Sequence, residues 1–331
     1  MDNQNIDKVK FSDVDSQKAF AAAARLVTEV EKVIIGKRRE VMLTVTALLA
    51  GGHVLIEDVP GVGKTTLAAA LARAAGLDFR RAQFTPDVTA SDITGFNIYN
   101  RRSESFEFTE GLVMTNILLA DEINRASPKT QSALLEAMEE GRVTVDGKTI
   151  KIPEPFMVIA TQNPSGFVGT YPLPEAQLDR FALKLTMGYP ALDEEIAIVS
   201  SRETKNPIDS IKPVANVQLI RFLSSLCQDV RLDASLVRYI VTLVSATRDN
   251  RMISLGASPR ASLALKRLAQ CYAFMHSREY VIPEDIADLF VPAVSHRLTL
   301  RQEAKLGGVD AEAVAREILR STQAPFKGKS V

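Results

Sequence analysis

The sequence contains few of the residues that form disulfides, metal sites or redox centres. Its 331 residues include no tryptophan, two cysteines and three histidines. Both cysteines, Cys227 and Cys271, fall within apolar helical patterns, where a free thiol behaves as a small buried hydrophobe. The histidines are far apart and do not show the spacing of metal ligands. These scarcities argue against a disulfide-stabilised scaffold and against a metal bound by cysteine or histidine.

An excess of charge of either sign is also missing. Forty lysines and arginines balance 40 aspartates and glutamates. Net charge therefore provides no reason for strong non-specific binding to nucleic acid or to a membrane surface. We expect no nucleic acid partner.

Long hydrophobic runs are absent as well. The most apolar stretch, residues 41–56, is interrupted by Gly51, Gly52 and His53, and a membrane span needs about 20 consecutive apolar residues. The N-terminal residues are polar and acidic and lack the basic and apolar regions of a signal peptide. We expect a cytoplasmic protein without membrane insertion.

The first 190 residues alternate short apolar runs with helical patterns, which is typical of a mostly parallel sheet with helices on both faces. The predicted strands are residues 53–58, 79–84, 116–121, 155–161 and 183–188. After Pro190 helical patterns replace the strands. The predicted helices are residues 192–203, 216–228, 233–247, 259–275, 283–290 and 311–320. The sequence thus predicts an α/β domain over residues 1–190 and an all-helical domain over residues 191–331.

Two segments of alternating polarity interrupt the first domain. Residues 141–152 contain an Asp-Gly pair between two short alternating runs, which predicts a hairpin that places Val143 opposite Ile150. Residues 95–111 also alternate around a polar tip, with Phe96 and Ile98 on one side and Phe106 and Phe108 on the other. Neither hairpin is needed to build the sheet.

The strongest motif is residues 58–65, DVPGVGKT, between a predicted strand and a predicted helix. Glycines at this spacing let backbone N–H groups surround a phosphate at a helix N-terminus, the lysine reaches the β- and γ-phosphates, and the threonine hydroxyl ligates Mg²⁺. Asp58 replaces the first glycine of the motif. The residues predicted to bind nucleotide are Pro60, Gly61, Val62, Gly63, Lys64, Thr65 and Thr66.

Polar residues follow two further apolar strands. Asp121 and Glu122 come directly after the third strand, so we predict that Asp121 binds Mg²⁺ with Thr65 and that Glu122 polarises the attacking water. Asn163 follows the fourth strand and could hold that water, although an asparagine before a proline is also a common turn residue.

Two arginines complete the candidate site. Arg180 ends a short helical stretch, and Arg260 lies in the first turn of a helix with Ser258 as its N-cap. A cation is unfavourable at a helix N-terminus, so we expect an anionic partner for Arg260. Taken singly, each arginine is better explained as a surface salt bridge, which contributes little to stability.

Six segments together resemble those of AAA+ ATPases, and more closely those of the MoxR family. They are VIIGK (33–37), EDVPGVGKTTLA (57–68), QFTPDVTASDITG (83–95), LLADEINRASPKTQSALLEAMEEG (118–141), ATQNPSGFVGTYPLPEAQLDRF (160–181) and GASPRA (256–261). The resemblance covers nearly the whole chain. It implies a P-loop NTPase core whose five parallel strands have the order 5-1-4-3-2, followed by a helical lid.

The resemblance also implies roles for individual segments. Residues 95–111 match the helix-2 insert and residues 141–152 the hairpin before sensor 1. Asn163 matches sensor 1, Arg180 the arginine finger given to a neighbouring subunit, and Arg260 sensor 2. The adenine contacts are Ile34, Ile35 and Gly36.

The implied function is Mg²⁺-dependent hydrolysis of ATP to ADP in a homo-oligomer, usually a hexameric ring. MoxR-like proteins remodel or mature partner proteins, commonly ones with a von Willebrand factor A domain. The alternatives are a nucleic-acid motor of the same clade, an enhancer-binding activator, a small-molecule kinase and a nucleotide switch without turnover. The activator's GAFTGA-type loop is absent from the sequence, and the sensor and finger arginines argue against a kinase.

Overall fold

The computed structural model describes residues 15–162, 171–201 and 207–325. Its strands are β1 (Val54–Glu57), β2 (Phe79–Gln83), β3 (Gly95–Asn100), β4 (Ser105–Glu110), β5 (Ile117–Asp121), β6 (Arg142–Val145), β7 (Lys148–Lys151), β8 (Met157–Gln162), β9 (Leu183–Leu185), β10 (Ile253–Leu255) and β11 (Thr299–Leu300). Its α-helices are α1 (Ser16–Glu31), α2 (Arg38–Leu49), α3 (Lys64–Ala75), α4 (Ala90–Thr94), α5 (Pro128–Glu140), α6 (Glu175–Leu178), α7 (Leu192–Ser201), α8 (Val217–Asp229), α9 (Ala234–Ala246), α10 (Pro259–Met275), α11 (Pro283–Val294), α12 (Gln302–Leu306) and α13 (Ala311–Ser321).

The central sheet has five parallel strands in the spatial order β9-β1-β8-β5-β2. Numbered along the chain, these strands have the order 5-1-4-3-2, so the predicted AAA+ core is confirmed. Successive residues of β5 pack into two different hydrophobic clusters. Ile117 and Leu119 join one, and Leu118 and Ala120 join the other. Residues 117–120 of β5 are apolar at consecutive positions because both faces of the sheet are covered.

Both predicted hairpins are present. In the β6–β7 hairpin Val143 pairs with Ile150, and Asp146 and Gly147 have φ values of 48° and 77°, as a type I′ turn requires. In the β3–β4 hairpin Phe96 pairs with Thr109 and Tyr99 pairs with Phe106. Because β-strand side chains alternate between faces, Phe96 and Phe106 lie on opposite faces of that hairpin.

The helical lid predicted after residue 190 is confirmed by α7 to α13. It also contains the antiparallel pair β10–β11, which the sequence analysis did not predict because strands of two or three residues show no measurable alternation. Helix α11 continues to Val294, past the predicted end at residue 290, and contains Pro292. The buried Ala293 and Val294 help to stabilise this last turn.

Two N-terminal helices connect the sheet with the lid. Helix α1 packs on both α3 and α10, and α2 packs on α8 and α10. The hydrophobic cluster on this face of the sheet is therefore continuous with the lid core. The division at residue 190 stays a prediction. Among the described residues, no helix has both the length and the apolar character needed to cross a bilayer.

Candidate active site

The predicted phosphate-binding loop connects the carboxyl end of β1 to the N-terminus of α3. Gly61 and Gly63 have φ values of 90° and 94°, a left-handed conformation that favours glycine. The Nζ atom of Lys64 donates a hydrogen bond of 2.7 Å to the carbonyl oxygen of Asp58. Burial lowers the pKa of Lys64, and the nearby carboxylates of Asp58, Asp121 and Glu122 oppose this shift. The lysine thus faces both the loop and the acidic end of β5.

Asp58, which departs from the glycine of the motif, ties the loop to a distant segment. Its carboxylate accepts hydrogen bonds from the backbone N–H groups of Val59 at 2.8 Å, Met187 at 2.7 Å and Gly188 at 2.6 Å. Asp58 is buried, so these three donors offset the loss of hydration of its carboxylate. The phosphate-binding loop is consequently fixed to the chain just after β9.

The predicted adenine segment contacts the same part of the chain. Lys37, directly after Gly36, donates from Nζ to the carbonyl oxygen of Tyr189 at 3.0 Å. The carboxylate of Glu194 lies so close to Gly36 that a Cβ atom there would overlap it. Residues 187–194 therefore contact both segments. Residues 187–188 contact the phosphate-binding loop, and residues 189 and 194 contact the predicted adenine segment and the lysine that follows it.

The two carboxylates after the third sheet strand are each held by an arginine. Asp121 is buried, and its Oδ2 pairs with Nε of Arg81 at 2.7 Å. Oε2 of Glu122 pairs with Nη1 of Arg125 at 2.9 Å. Thr161 connects the two acids, because its hydroxyl donates to Asp121 at 3.2 Å and accepts from the backbone N–H of Glu122 at 2.9 Å. The end of β8 thereby contacts the carboxylate of Asp121 and the backbone of Glu122.

The two candidate arginines meet at one carboxylate. Nη2 of Arg180 lies 3.1 Å from Oε2 of Glu139, and the guanidinium of Arg260 pairs with the other oxygen of the same carboxylate. The side-chain oxygen of Ser258 caps α10 by accepting from the backbone N–H of Arg260 at 3.1 Å. The anionic partner expected for Arg260 is thus confirmed, and it is Glu139 at the end of α5.

The arginine pair lies at the amino-terminal edge of the sheet. It lines a cavity of about 310 Å³ that also includes Gly52 and His53, which precede β1, and Ala182, which precedes β9. The phosphate-binding loop follows the opposite end of β1. Four strand residues separate the edges, or roughly 13 Å of β-strand. The structure brings Arg180 and Arg260 together and places both at the edge opposite the chain's own phosphate-binding loop.

A buried network behind the two arginines joins them to each other. The carboxylate of Asp179 accepts from the hydroxyl of Ser258 at 2.7 Å and pairs with Nε of Arg297 at 3.3 Å. Nη2 of Arg297 donates to the carbonyl oxygens of Asp179 and Phe181 at 3.2 and 2.7 Å, on either side of Arg180. Burial lowers the pKa of Arg297 to about 10. The core and the lid thus hold the backbone around Arg180 from both sides.

Comparison with known proteins decides the family. Residues 53–183 match the model of the ATPase family associated with various cellular activities (AAA), and residues 245–318 match the AAA lid domain. Over 310 residues the chain is 40% identical to the chaperone MoxR1 of Mycobacterium tuberculosis, a match that covers 91% of this chain and 82% of the relative. The chain belongs to the MoxR family of AAA+ ATPases.

Other relatives agree with this assignment. The MoxR-family chain is 52% identical over 307 residues to the uncharacterized protein YeaC of Bacillus subtilis, covering 93% of this chain and 96% of the relative. A crystal structure from Cytophaga hutchinsonii, described as that of a candidate ATPase, superposes with a TM-score of 0.87 at 36% identity. That match covers 94% of this chain and 97% of the solved one. The nucleotide-binding and ATPase character of the chain follows from its family.

Sequence reasoning found the motifs of this MoxR-family ATPase but missed the residues that hold them. Asp58 was noted only as a departure, and Thr161, Glu139 and Arg297 were not predicted to have a role. Their partners are 39 to 130 residues away in the sequence, so no local pattern could reveal them. Asn163, the predicted sensor 1, lies outside the described residues.

Proposed function

We propose that the chain hydrolyses ATP in a site built between two copies of itself, with Mg²⁺ as cofactor, and uses the energy to remodel partner proteins. The observation that carries this proposal is the separation of the two half-sites. The phosphate-binding loop and the acidic end of β5 lie at one edge of the sheet, and the paired arginines lie at the other. A complete site needs both, so the arginines must serve a neighbouring copy.

In this proposal the nucleotide lies in the cleft beside residues 187–194. Residues 60–66 surround the phosphates, Lys64 binds the β- and γ-phosphates, and Ile34, Ile35 and Gly36 contact the adenine. Asp58 keeps the loop in its phosphate-binding shape through the hydrogen bonds that its carboxylate accepts from three backbone N–H groups. The preformed loop reduces the ordering that ATP binding requires.

The donor set at the end of β5 fits a phosphate-bound magnesium ion. Within the described part of the chain, no cluster of three or more histidine, cysteine, aspartate or glutamate side chains could hold a metal. Magnesium in nucleotide sites takes most of its ligands from phosphates and water and needs one or two protein oxygens. The hydroxyl of Thr65 and the carboxylate of Asp121 would supply them. When bound, Mg²⁺ neutralises charge on the phosphates.

Glu122 is the proposed general base. Its backbone N–H donates to the hydroxyl of Thr161, and its carboxylate pairs with Arg125. The carboxylate accepts a proton from the attacking water, and Asn163 is proposed to orient that water. Arg180 and Arg260 of the next copy would stabilise the charge that develops on the γ-phosphate, an arrangement that requires a closed ring, proposed to be a hexamer.

A protein partner fits the exposed surface better than nucleic acid does. The β3–β4 hairpin exposes four large apolar side chains, at fractions between 40% and 71%: Phe96, Ile98, Tyr99 and Phe106. Tyr99 and Phe106 lie on one face of the hairpin, and Phe96 and Ile98 lie on the other. Single apolar residues on a surface are common, but a hairpin that exposes them on both faces offers a protein partner two apolar surfaces. On the β6–β7 hairpin, Lys151 is paired with Glu154 at 2.9 Å. We propose a partner with a von Willebrand factor A domain, and a nucleic-acid motor is the less favoured alternative.

Two substitutions test the proposed chemistry. Glu122→Gln should leave ATP binding intact and slow hydrolysis by roughly a hundredfold or more, because the general base is lost. Lys64→Ala should weaken ATP binding as well. The measurements are nucleotide affinity by equilibrium binding and phosphate release under saturating ATP and Mg²⁺.

Glu317→Gln is the matched control, because it removes an exposed carboxylate on α13 and leaves the described contacts of Lys64, Asp121 and Glu122 unchanged. It should retain both activities. Undiminished hydrolysis by Glu122→Gln would contradict the assignment of the base.

A further inference from the structure

Glu139 is the point at which Arg180 and Arg260 meet. One carboxylate oxygen pairs with Arg180 and the other with Arg260. The two arginines come from the core and the lid, separated by 80 residues of sequence, yet they share this single carboxylate. Glu140, the next residue, points elsewhere and pairs with Arg142 at 2.8 Å. The contact is therefore specific to one of two adjacent glutamates.

The charges around this carboxylate do not balance. Arg180, Arg260 and Glu139 together carry one net positive charge. Behind them, the ion pair between Asp179 and Arg297 is neutral. Arg267 lines the same cavity and adds a further positive charge. Two guanidinium groups on one carboxylate form an anion site that is only partly neutralised, and a γ-phosphate would supply more negative charge and more acceptor oxygens than Glu139 does.

The accessibility of the three side chains allows this exchange. The side chains of Glu139, Arg180 and Arg260 are 33%, 27% and 53% exposed. Ion pairs this exposed are weak, because water and salt compete with them. The backbone beneath the arginines is held by Asp179, Ser258 and Arg297. These contacts do not involve Glu139, so the carboxylate can leave while the backbone at Arg180 and Arg260 stays in position.

We infer that Glu139 is a resting counter-ion, which holds Arg180 and Arg260 together until the γ-phosphate of ATP from a neighbouring copy displaces it. The inference rests on the proposed function, in which both arginines act on a neighbour's ATP. Glu139 is a positioning residue that acts through the arginines and does not touch ATP. Because its carboxylate competes with the γ-phosphate, it restrains hydrolysis. Its removal should raise activity, which loss of a merely structural contact would not do.

The test isolates the arginine side of the interface. Lys64→Ala chains, which can donate arginines but cannot bind ATP well, are mixed with Arg180→Ala chains, which can bind ATP. Glu139→Gln is then added to the Lys64→Ala chain. We expect kcat/KM for ATP in the mixture to rise roughly two- to tenfold over the parent mixture, as expected for the loss of two partly exposed ion pairs. Glu140→Gln in the same background is the matched control and should change nothing.

A second variant and a stability measurement guard against misfolding. Glu139→Asp keeps the charge on a shorter side chain that cannot reach both arginines, and it should raise kcat/KM by less than Glu139→Gln. Thermal unfolding of each chain verifies that it is folded. An unchanged or lower kcat/KM with either Glu139 variant, in a parent mixture that is active, would overturn this inference alone. An inactive parent mixture would overturn the proposed function together with it.

Discussion

Mixing two inactive variants tests whether the two edges of the sheet belong to one site or to two. Lys64→Ala removes the phosphate ligand at one edge and leaves Arg180 intact at the other. Arg180→Ala does the reverse. About 13 Å of strand separates the edges in one chain, so neither change disturbs the other half-site. Each variant alone should be inactive, because every interface in its ring lacks one component.

The expected recovery follows from the geometry of a ring. In the proposed ring, every interface would pair the phosphate-binding loop of one copy with the arginines of the next. In a random equimolar mixture, half of the loops are intact and half of the arginines are intact, so about a quarter of the interfaces are complete. An arginine finger contributes roughly 10³- to 10⁵-fold to the rate. The recovered activity, near a quarter of the unmodified rate, should thus far exceed the background of either variant.

The assay is phosphate release at saturating ATP, with two differently tagged variants whose co-purification demonstrates mixed rings. The matched control replaces the Lys64→Ala chain by the double variant Lys64→Ala/Arg180→Ala, which can complete no interface with Arg180→Ala. Activity with the first mixture and none with the second supports donation between copies. Mixed rings without recovery would refute the reasoning, and Arg180 would then act within its own chain or only in packing.

Two further predictions concern stability. Asp58→Ala should lower the free energy of unfolding by about 3 kcal/mol, because it leaves three backbone N–H groups of the phosphate-binding loop and residues 187–188 without an acceptor. Urea unfolding measures this loss, and Asp87→Ala, which removes an exposed carboxylate, is the control. A loss no greater than that of Asp87→Ala would contradict the prediction. Burial lowers the pKa of His53 to about 4 and that of His296 to about 3, so the unfolded chain binds protons below about pH 6.5 that the folded chain does not. The free energy of unfolding should therefore be greatest above pH 6.5 and fall as the pH drops towards 4, by about 1.4 kcal/mol per pH unit for each histidine. His53→Gln should reduce this slope by about 1.4 kcal/mol per pH unit. An unchanged slope would show that the protonation of His53 does not change on unfolding.

The sheet and the phosphate-binding loop could be predicted because their signals are local. A strand covered on both faces has consecutive apolar residues, as in residues 117–120, and a glycine-rich turn between a strand and a helix has few other uses. The short helix before Arg180 and the N-cap of α10 were found in the same way. For these elements the local pattern of residues was sufficient for the prediction, although the strands pair with strands far away in the sequence.

The supporting contacts could not be predicted because they depend on the tertiary fold. Asp58 lies 129 residues from Met187, and Arg297 lies 116 residues from Phe181. Helices α1 and α2 pack against α3, α8 and α10, and this packing depends on the tertiary arrangement of those three helices. Sequence alone also left open whether Arg260 faces its own nucleotide. The structure places Arg260 beside His53 and Ala182, at the edge of the sheet opposite the chain's own phosphate-binding loop.

Four charged residues of the candidate site, two acids and two arginines, each have a partner of opposite charge within the chain. Asp121 pairs with Arg81, Glu122 with Arg125, and Glu139 with both Arg180 and Arg260. Charged groups in a partly buried site need partners, since an unpaired charge loses much of its hydration. Each of these internal partners is a flexible side chain that a phosphate or a metal ion can replace. In the proposed function the same residues would bind ATP between two copies. ATP can displace an internal partner only as far as its own interaction with the residue is more favourable.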